Sequence, residues 1–453
     1  MTVIVGVPAS INNAIQTGTL ERMWNESLAP TLLFRADALA EVWPINLGET
    51  QIFSRPALLA PRTTPRAAGT DPVPQAIGIE QWEVTAQAFS DSIDTHMPTS
   101  NVALAPLFLM HAKQLAIQAG MSLNRISRNA LYTAYVGGHS ATAGAQPAVN
   151  QVNIVGNGFR RVLVNGRQTD ISVANPIAVI FGAADARNLT AFVPTDANDP
   201  DGPGVATYDG ADLALASRTA VRALNRPFLI RAGGGTSVDA LGAADTFVMQ
   251  NVIDAVARLK QMNVPRFTDG TYHLHLSPTQ KAQLYADPAW RVLYTALPDS
   301  VAFRDQAIGH QNNALWYENS EAPDSTNTGA QTVRVGTAQY GRDVHAETVN
   351  AGGFNIHRAV VVGQAAEYEK FIDESAYITE AGITGKVGEF FVTVGGVQMM
   401  TERIRYILRA PQDRLQEFVG QTWSWKGDFA IPSDSLSGDA ARFKRAVVIE
   451  TIG

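Results

Sequence analysis

Apolar side chains recur at helical spacing over residues 11–45. Ile11, Ile15, Leu20, Met23, Trp24, Leu28 and Leu32 precede Pro44, so the stretch reads as a largely helical arm, with Pro30 expected to kink or split it. An amphipathic segment of this kind must bury its stripe on something else. From Leu47 to Asp94 the pattern turns extended. Ile52 and Phe53 on one flank and Ile77, Ile79, Trp82 and Val84 on the other enclose a middle broken by Pro56, Pro61, Pro65, Pro72 and Pro74. About fifty residues with so little core predict a projecting, hairpin-like loop that reaches a partner.

A long helix is predicted from Asn101 to Tyr135. Thr99 or Ser100 would cap it, Pro106 is tolerable in its first turns, and Leu104, Phe108, Leu115, Leu123, Ile126 and Ala130 form its apolar stripe up to Gly137 and Gly138. A globular helix averages about 11–12 residues, so this one reads as a spine. Residues 146–235 change character again. Val152 to Val155 and Arg161 to Val164 read as strands, joined by the turn signals Gly156-Asn157-Gly158 and Asn165-Gly166, with a solvated loop from Asp196 to Gly204. This is a small β-rich insertion. A helix from Thr246 to Met262, a turn at Asp269-Gly270 and a strand at Tyr272 to Leu276 follow. Ser277-Pro278-Thr279-Gln280 then makes a capping box with proline in the first helical position. From Thr332 onward strands dominate, at Arg358 to Gly363, Phe390 to Val394 and Arg445 to Thr451.

Composition narrows the function classes. Charged residues make up 17% of the 453, against roughly 25% in an average soluble domain. Such a surface suits a protein covered by neighbours on several sides, although a large monomeric enzyme with a deep core would look the same. The net charge of -7 argues against wrapping nucleic acid. Lysine is scarce, the first being Lys113, and arginine supplies most of the positive charge. That suits bidentate pairing at interfaces, or reflects a plain bias toward arginine codons. The absence of cysteine excludes disulfides, thiolate metal sites and cysteine nucleophiles. No secretory signal and no run near the roughly 18 apolar residues of a membrane span is present, so a soluble protein made in the cytoplasm is expected.

Candidate chemistry is thin. His273 and His275 would share one face of a strand and could meet a metal if a carboxylate joined them; a packed strand pair is the simpler reading. Asp196, Asn198, Asp199 and Asp201 are oxygen-rich, but Pro200 and Thr207 occupy places that the calcium-loop pattern does not allow. Gly156 to Gly158 lacks the third glycine of a dinucleotide site, and Gly233 to Gly235 lacks the ending of a phosphate loop. No nucleophile elbow appears, and Trp423 and Trp425 alternate as packed strand residues do. No catalytic, cofactor or metal residue is therefore expected, and the chain is read as a non-enzyme.

The run Tyr272 to Gln280, followed by Leu284 and Asp287 to Trp290, resembles a recurring segment of tailed-bacteriophage major capsid proteins. Two more segments resemble the same family in the same order: Ala307 to Gly309 with Leu315 to Pro323, and His357 to Ala366. The stretch His310 to Ala314 departs from the family by lacking a second glycine. The resemblance implies an α+β, Hong Kong 97-like capsid fold. Its parts would be an N-terminal arm at 1–46, an E-loop at 47–97, a P-domain spine helix at 98–145, the insertion at 146–235, an A-domain at 236–335, and remaining A- and P-domain strands at 336–453.

The implied function is self-assembly into hexamers and pentamers of an icosahedral shell around a double-stranded DNA genome. Expected partners are neighbouring subunits, with scaffold, portal and cement proteins and weak nonspecific contact with packaged DNA; no membrane, no cofactor and no metal. The expected location is the virion capsid, after synthesis in the host cytoplasm. On the E-loop, Arg55, Arg62 and Arg66 would pair with acidic residues of a neighbouring subunit, alongside Trp82, unless the arginines are merely solvated. Some relatives crosslink an E-loop lysine to an asparagine of the adjacent subunit. With no lysine before Lys113, that bond cannot form here, so noncovalent contacts are expected to hold the shell. The competing readings are a nanocompartment shell of the same fold and a soluble hydrolase with a β-rich accessory domain.

Overall fold

The structure, a computed structural model, describes residues 9–28, 33–44, 48–56, 59, 61–102, 107–155, 159–165, 167–197, 202–291, 310–323, 350–375, 385–393, 396–411, 413–432 and 444–453. It divides into two units, and each is built from separated stretches of sequence. The first comprises Met1–Thr50, Val84–Ser127 and Tyr368–Phe429; the second comprises Gln51–Glu83, Arg128–Glu367 and Ala430–Gly453. Helices and sheets are mixed throughout, the α+β plan expected from the sequence.

The arm forms two helices, Ala9–Gln16 and Thr19–Leu28. A break falls at Gly18, whose φ of 66° only glycine adopts freely; Pro30, where a kink was expected, lies outside the described residues. The stripe is real: Ile11, Ile15, Leu20, Trp24 and Leu28 are all buried, and the Trp24 ring lies 4.4 Å from that of Tyr406. The arm therefore covers its apolar face within its own unit. Where a continued arm was expected, Leu39–Val42 is a strand, paired in parallel with Tyr368–Phe371.

That pair edges an eight-stranded sheet, which continues through Phe418–Ala430, Ile404–Arg409, Gly396–Thr401, Phe390–Thr393 and Gly385–Val387. Gln87–His96 joins it against the long strand Phe418–Ala430, in register from His96↔Phe418 to Gln87↔Gly427. The extended loop is therefore narrower than the expected 47–97, because its last ten or so positions belong to this sheet.

The helix expected at 101–135 appears as two, Met97–Val102 and Leu107–Val136, with residues 103–106 outside the described part. Thr99 sits inside the first helix and does not cap it; its hydroxyl lies 2.7 Å from His96 Nδ1. The long helix closes where Gly137 donates to the Thr133 carbonyl and Gly138 takes a φ of 76°. Among the described residues no helix is long and apolar enough to cross a membrane.

In the second unit the insertion is an antiparallel six-stranded sheet. Its order is His139–Ala141, Ala220–Ala223, Ile177–Phe181, Asp185–Pro194, Gly204–Tyr208 and Gln151–Ile154, so it begins earlier and ends earlier than 146–235. One face carries a core of Ile177, Val179, Phe181, Leu189 and Val221. Arg161–Val164 and Arg167–Asp170 form a separate small hairpin.

The unit's other sheet is mixed: Leu229–Arg231, Ala446–Ile452, Ile356–Val362, Tyr272–Leu276, Ala314–Glu318 and His310–Gln311. On one face the helix Met249–Gln261 and the helix Pro278–Ala286 bury Leu274, Ala359, Val361, Val447 and Ile449. On the other, the long helix contributes Tyr132, whose hydroxyl donates to the Arg358 carbonyl at 3.2 Å. Tyr135 donates to the Ala366 carbonyl at 3.3 Å. Covered on both sides, Ile356–Val362 and Ala446–Ile452 are buried at every residue, which explains their nearly continuous apolar sequence. The Ser277 capping box is present as expected, with both hydrogen bonds at 3.2 Å.

Candidate functional site

Among the described residues, the two strands that flank the proline-rich stretch, Thr50–Pro56 and Ile79–Thr85, pair only with each other. Isolated two-stranded hairpins are marginal in water, so something must hold this one. Its base is held by its own chain. Trp82 is buried, with its ring 6.2 Å from that of Phe53. Arg55 is buried too, its Nη1 at 3.5 Å from the Ala365 carbonyl. Glu83 Oε2 accepts the Gln168 backbone N–H at 2.7 Å, which ties the hairpin to the small hairpin of the insertion. A charged acceptor on an otherwise open strand amide also blocks that edge from pairing elsewhere.

The tip is different. Residues 61–79 are exposed throughout, and residues 61–78 form no helix or strand. Its large apolar side chains face solvent: Val73 is 73% exposed, Ile79 64%, Ile77 56% and Leu59 54%. Internal bonds shape it. Thr70 N–H and Oγ1 both reach the Ala67 carbonyl, around Gly69 at a φ of 82°, and Arg62 Nη2 donates to the Val73 carbonyl.

The four residues singled out in the sequence thus separate. Arg55 and Trp82, expected against a neighbouring subunit, are buried inside their own unit, where Trp82 gains more by packing on Phe53 than it would by standing open. Arg62 and Arg66 are exposed at the tip. Sequence reading missed Glu83, because its partner Gln168 lies in another hairpin and no local pattern joins the two.

No protein-family model matches the chain, and no curated protein matches it. Among solved structures, the chain is similar to the capsid of Ralstonia phage GP4, at 13% identity over 92% of this chain and 88% of that one, with a TM-score of 0.48. It is similar to the cyanophage Pam1 capsid asymmetric unit at 11% identity, 100% and 93% coverage and a TM-score of 0.48. For the mature capsid of bacteriophage PhiM1 the values are 10%, 92%, 86% and 0.42. Likeness of this degree assigns no family.

The remaining candidates resolve into packing. His273 stacks on Phe267 at 3.9 Å and lies 3.1 Å from Asp269 Oδ2, while His275 is buried and stacks on Tyr317 at 5.5 Å. Among the described residues no group of three or more histidine or acidic side chains could hold a metal. Asn198, Asp199 and Asp201, like Gly156 to Gly158, lie outside the described residues. Trp423 and Trp425 are buried in the long strand, Trp425 stacking on Phe429 at 5.3 Å. The missing second glycine falls on a turn where Asn312 and Asn313 take φ values of 53° and 59°, a conformation asparagine tolerates better than most residues.

Each unit also buries a carboxylate between two guanidinium groups. In the first, Glu369 meets Arg35 Nη2 at 2.6 Å and Arg403 Nη1 at 2.8 Å, which pins the end of the arm. In the second, Glu450 meets Arg231 Nε at 2.8 Å and Arg358 Nε at 2.9 Å. Burial would raise the Glu450 carboxyl, but Arg231 and Arg358 outweigh it and hold the group below the usual carboxylate range. These pairs organise the fold and offer no reactive group to solvent.

Proposed function

We propose that this chain is the repeating subunit of a closed, noncovalent protein shell, a major capsid protein whose hexamers and pentamers enclose double-stranded DNA. One observation supports the reading above the others: a hairpin with a fixed base carries a tip whose apolar side chains are exposed, with none of the described residues covering them. Several exposed, neighbouring apolar residues on a rigid support mark a contact with another protein. The three ordered segments that resemble capsid proteins point the same way. Arg62 and Arg66 are exposed on the same tip and would meet carboxylates of the adjacent subunit. Scaffold, portal and cement proteins would be further partners, and the virion capsid the location.

Negative-stain microscopy of the expressed chain tests the reading. Closed particles or capsomer rings are expected, and DNA recovered from particles made during infection separates a genome shell from a cargo-carrying compartment. A clean monomer, under assembly conditions and with any scaffold supplied, would overturn it.

A further inference from the structure

We propose that a cavity in the second unit, between the insertion's first strand and the strand Ala446–Ile452, binds a single monatomic anion, chloride under ordinary solution conditions. The cavity has a volume of about 20 Å³ and is lined by His139, Ser140, Arg222, Arg231, Arg358 and Glu450, among others. Three guanidinium groups share its wall with one carboxylate. Arg231 and Arg358 each bind Glu450 through Nε, one on each oxygen. Arg231 Nη1 also donates to the Thr236 carbonyl at 2.8 Å. Arg222 Nη2 donates to the Gly182 carbonyl at 2.6 Å, and its buried Nε has no acceptor among the described residues.

His139 adds no charge of either sign. Its Nε2 lies 3.1 Å from the Pro227 carbonyl, so Nε2 carries the proton and donates. Burial, followed by the Arg231 charge, pushes the ring's pKa down to about 3. Crowding of cations is felt next door: after burial, Arg222 and Arg231 lower the Arg226 pKa. The nearby Arg218 pairs with Asp239 and is already neutralised.

An excess of positive charge in a partly buried cavity is costly unless a counter-charge joins it. A water would fit the volume, yet it brings no charge. A monatomic anion accepts from every direction, which suits a wall made mostly of donors.

Chloride NMR of the purified full-length chain tests the site. The wild type is expected to broaden the chloride line saturably, to release it to bromide, and to melt about 2 °C higher in chloride than in gluconate at equal ionic strength. Arg222→Gln, shown folded by circular dichroism, should lose both effects, and Arg222→Lys, which keeps the charge, should keep most of each. Broadening without any melting difference in the wild type would mean an adventitious ion only. That outcome, or an Arg222→Gln protein that behaves like wild type, overturns the proposal. If Arg222→Gln does not fold, the wild-type comparison and Arg222→Lys decide the question, and the lysine variant's failure to bind above background would count against the site.

Discussion

Two strand pairs in this chain use the same backbone ladder for opposite ends. In Ile356–Val362 and Ala446–Ile452 every residue is buried, covered on both faces by helices. In Thr50–Pro56 and Ile79–Thr85 most described positions are open or half-open, and the apolar residues Ile52, Ile77 and Ile79 in and beside them are exposed. The sequence difference is modest: valine and isoleucine runs in one, alternation with proline nearby in the other. Its consequence is large. The first ladder is stabilised by its own unit and is part of what makes the subunit fold. Among the described residues the second is anchored only at its base, so its tip has contacts to gain from another chain.

If that division is right, the two ladders can be broken separately. The largest effect is expected from replacing residues 61–78 with a short glycine-serine linker. Particles should disappear from micrographs, while the subunit's denaturation midpoint moves by no more than about 0.5 kcal/mol, as for other surface changes. Intact particles would show that the tip is not an assembly element. Arg358→Met attacks the other ladder, leaving Glu450 buried with half its partners. A loss of about 3–5 kcal/mol in urea unfolding is expected; a loss below about 1 kcal/mol would mean that Arg231 alone suffices.

A smaller effect sharpens the boundary between base and tip. Glu83→Ala removes the acceptor of the Gln168 N–H. The partly exposed bond is worth about 1 kcal/mol, so exchange of that amide should speed up roughly fivefold. Glu83→Gln retains an acceptor and should restore most of the protection. An unchanged amide in Glu83→Ala would remove the proposed link between insertion and hairpin.

How much of this was legible depends on how local each signal is. Tyr272–Leu276, the Ser277 capping box and the helix Met249–Gln261 were readable because a few neighbouring residues specify them. The break in the arm was also local, written in Gly18, but the apolar spacing runs on across it and hid it. Leu39–Val42 was not readable as a strand, because its ladder forms with Tyr368–Phe371, far along the chain. The same holds for the site. The projecting loop announced itself through its prolines, yet nothing local distinguished Arg55, held at the base near Ala365, from Arg62 and Arg66 at the tip. The Glu450 cluster was hidden for the same reason, since an acidic residue within an apolar strand gives no sign of the arginines it will meet.

The buried ladder's smallest and most specific test is its acid sensitivity. His139 faces Arg231, Arg226 and Glu450 and donates to Pro227. Its pKa falls from an unfolded value of 6.5 to about 3 in the folded chain. Between those two values the unfolded chain binds a proton that the folded chain does not, so stability drops as pH falls through the window and is fully present above it. One such group contributes a slope of at most about 1.4 kcal/mol per pH unit. Glu450 acts in the same direction, since its folded pKa is also depressed, but only from its ordinary value of 4.5 downward. The interval from 6.5 to 4.5 therefore isolates His139 from Glu450. His139→Gln keeps a donor for Pro227 and cannot titrate, so urea midpoints measured across that interval should lose this part of the slope. A slope identical to wild type would show that the ring is solvated, and with it that the cavity wall around Glu450 is open.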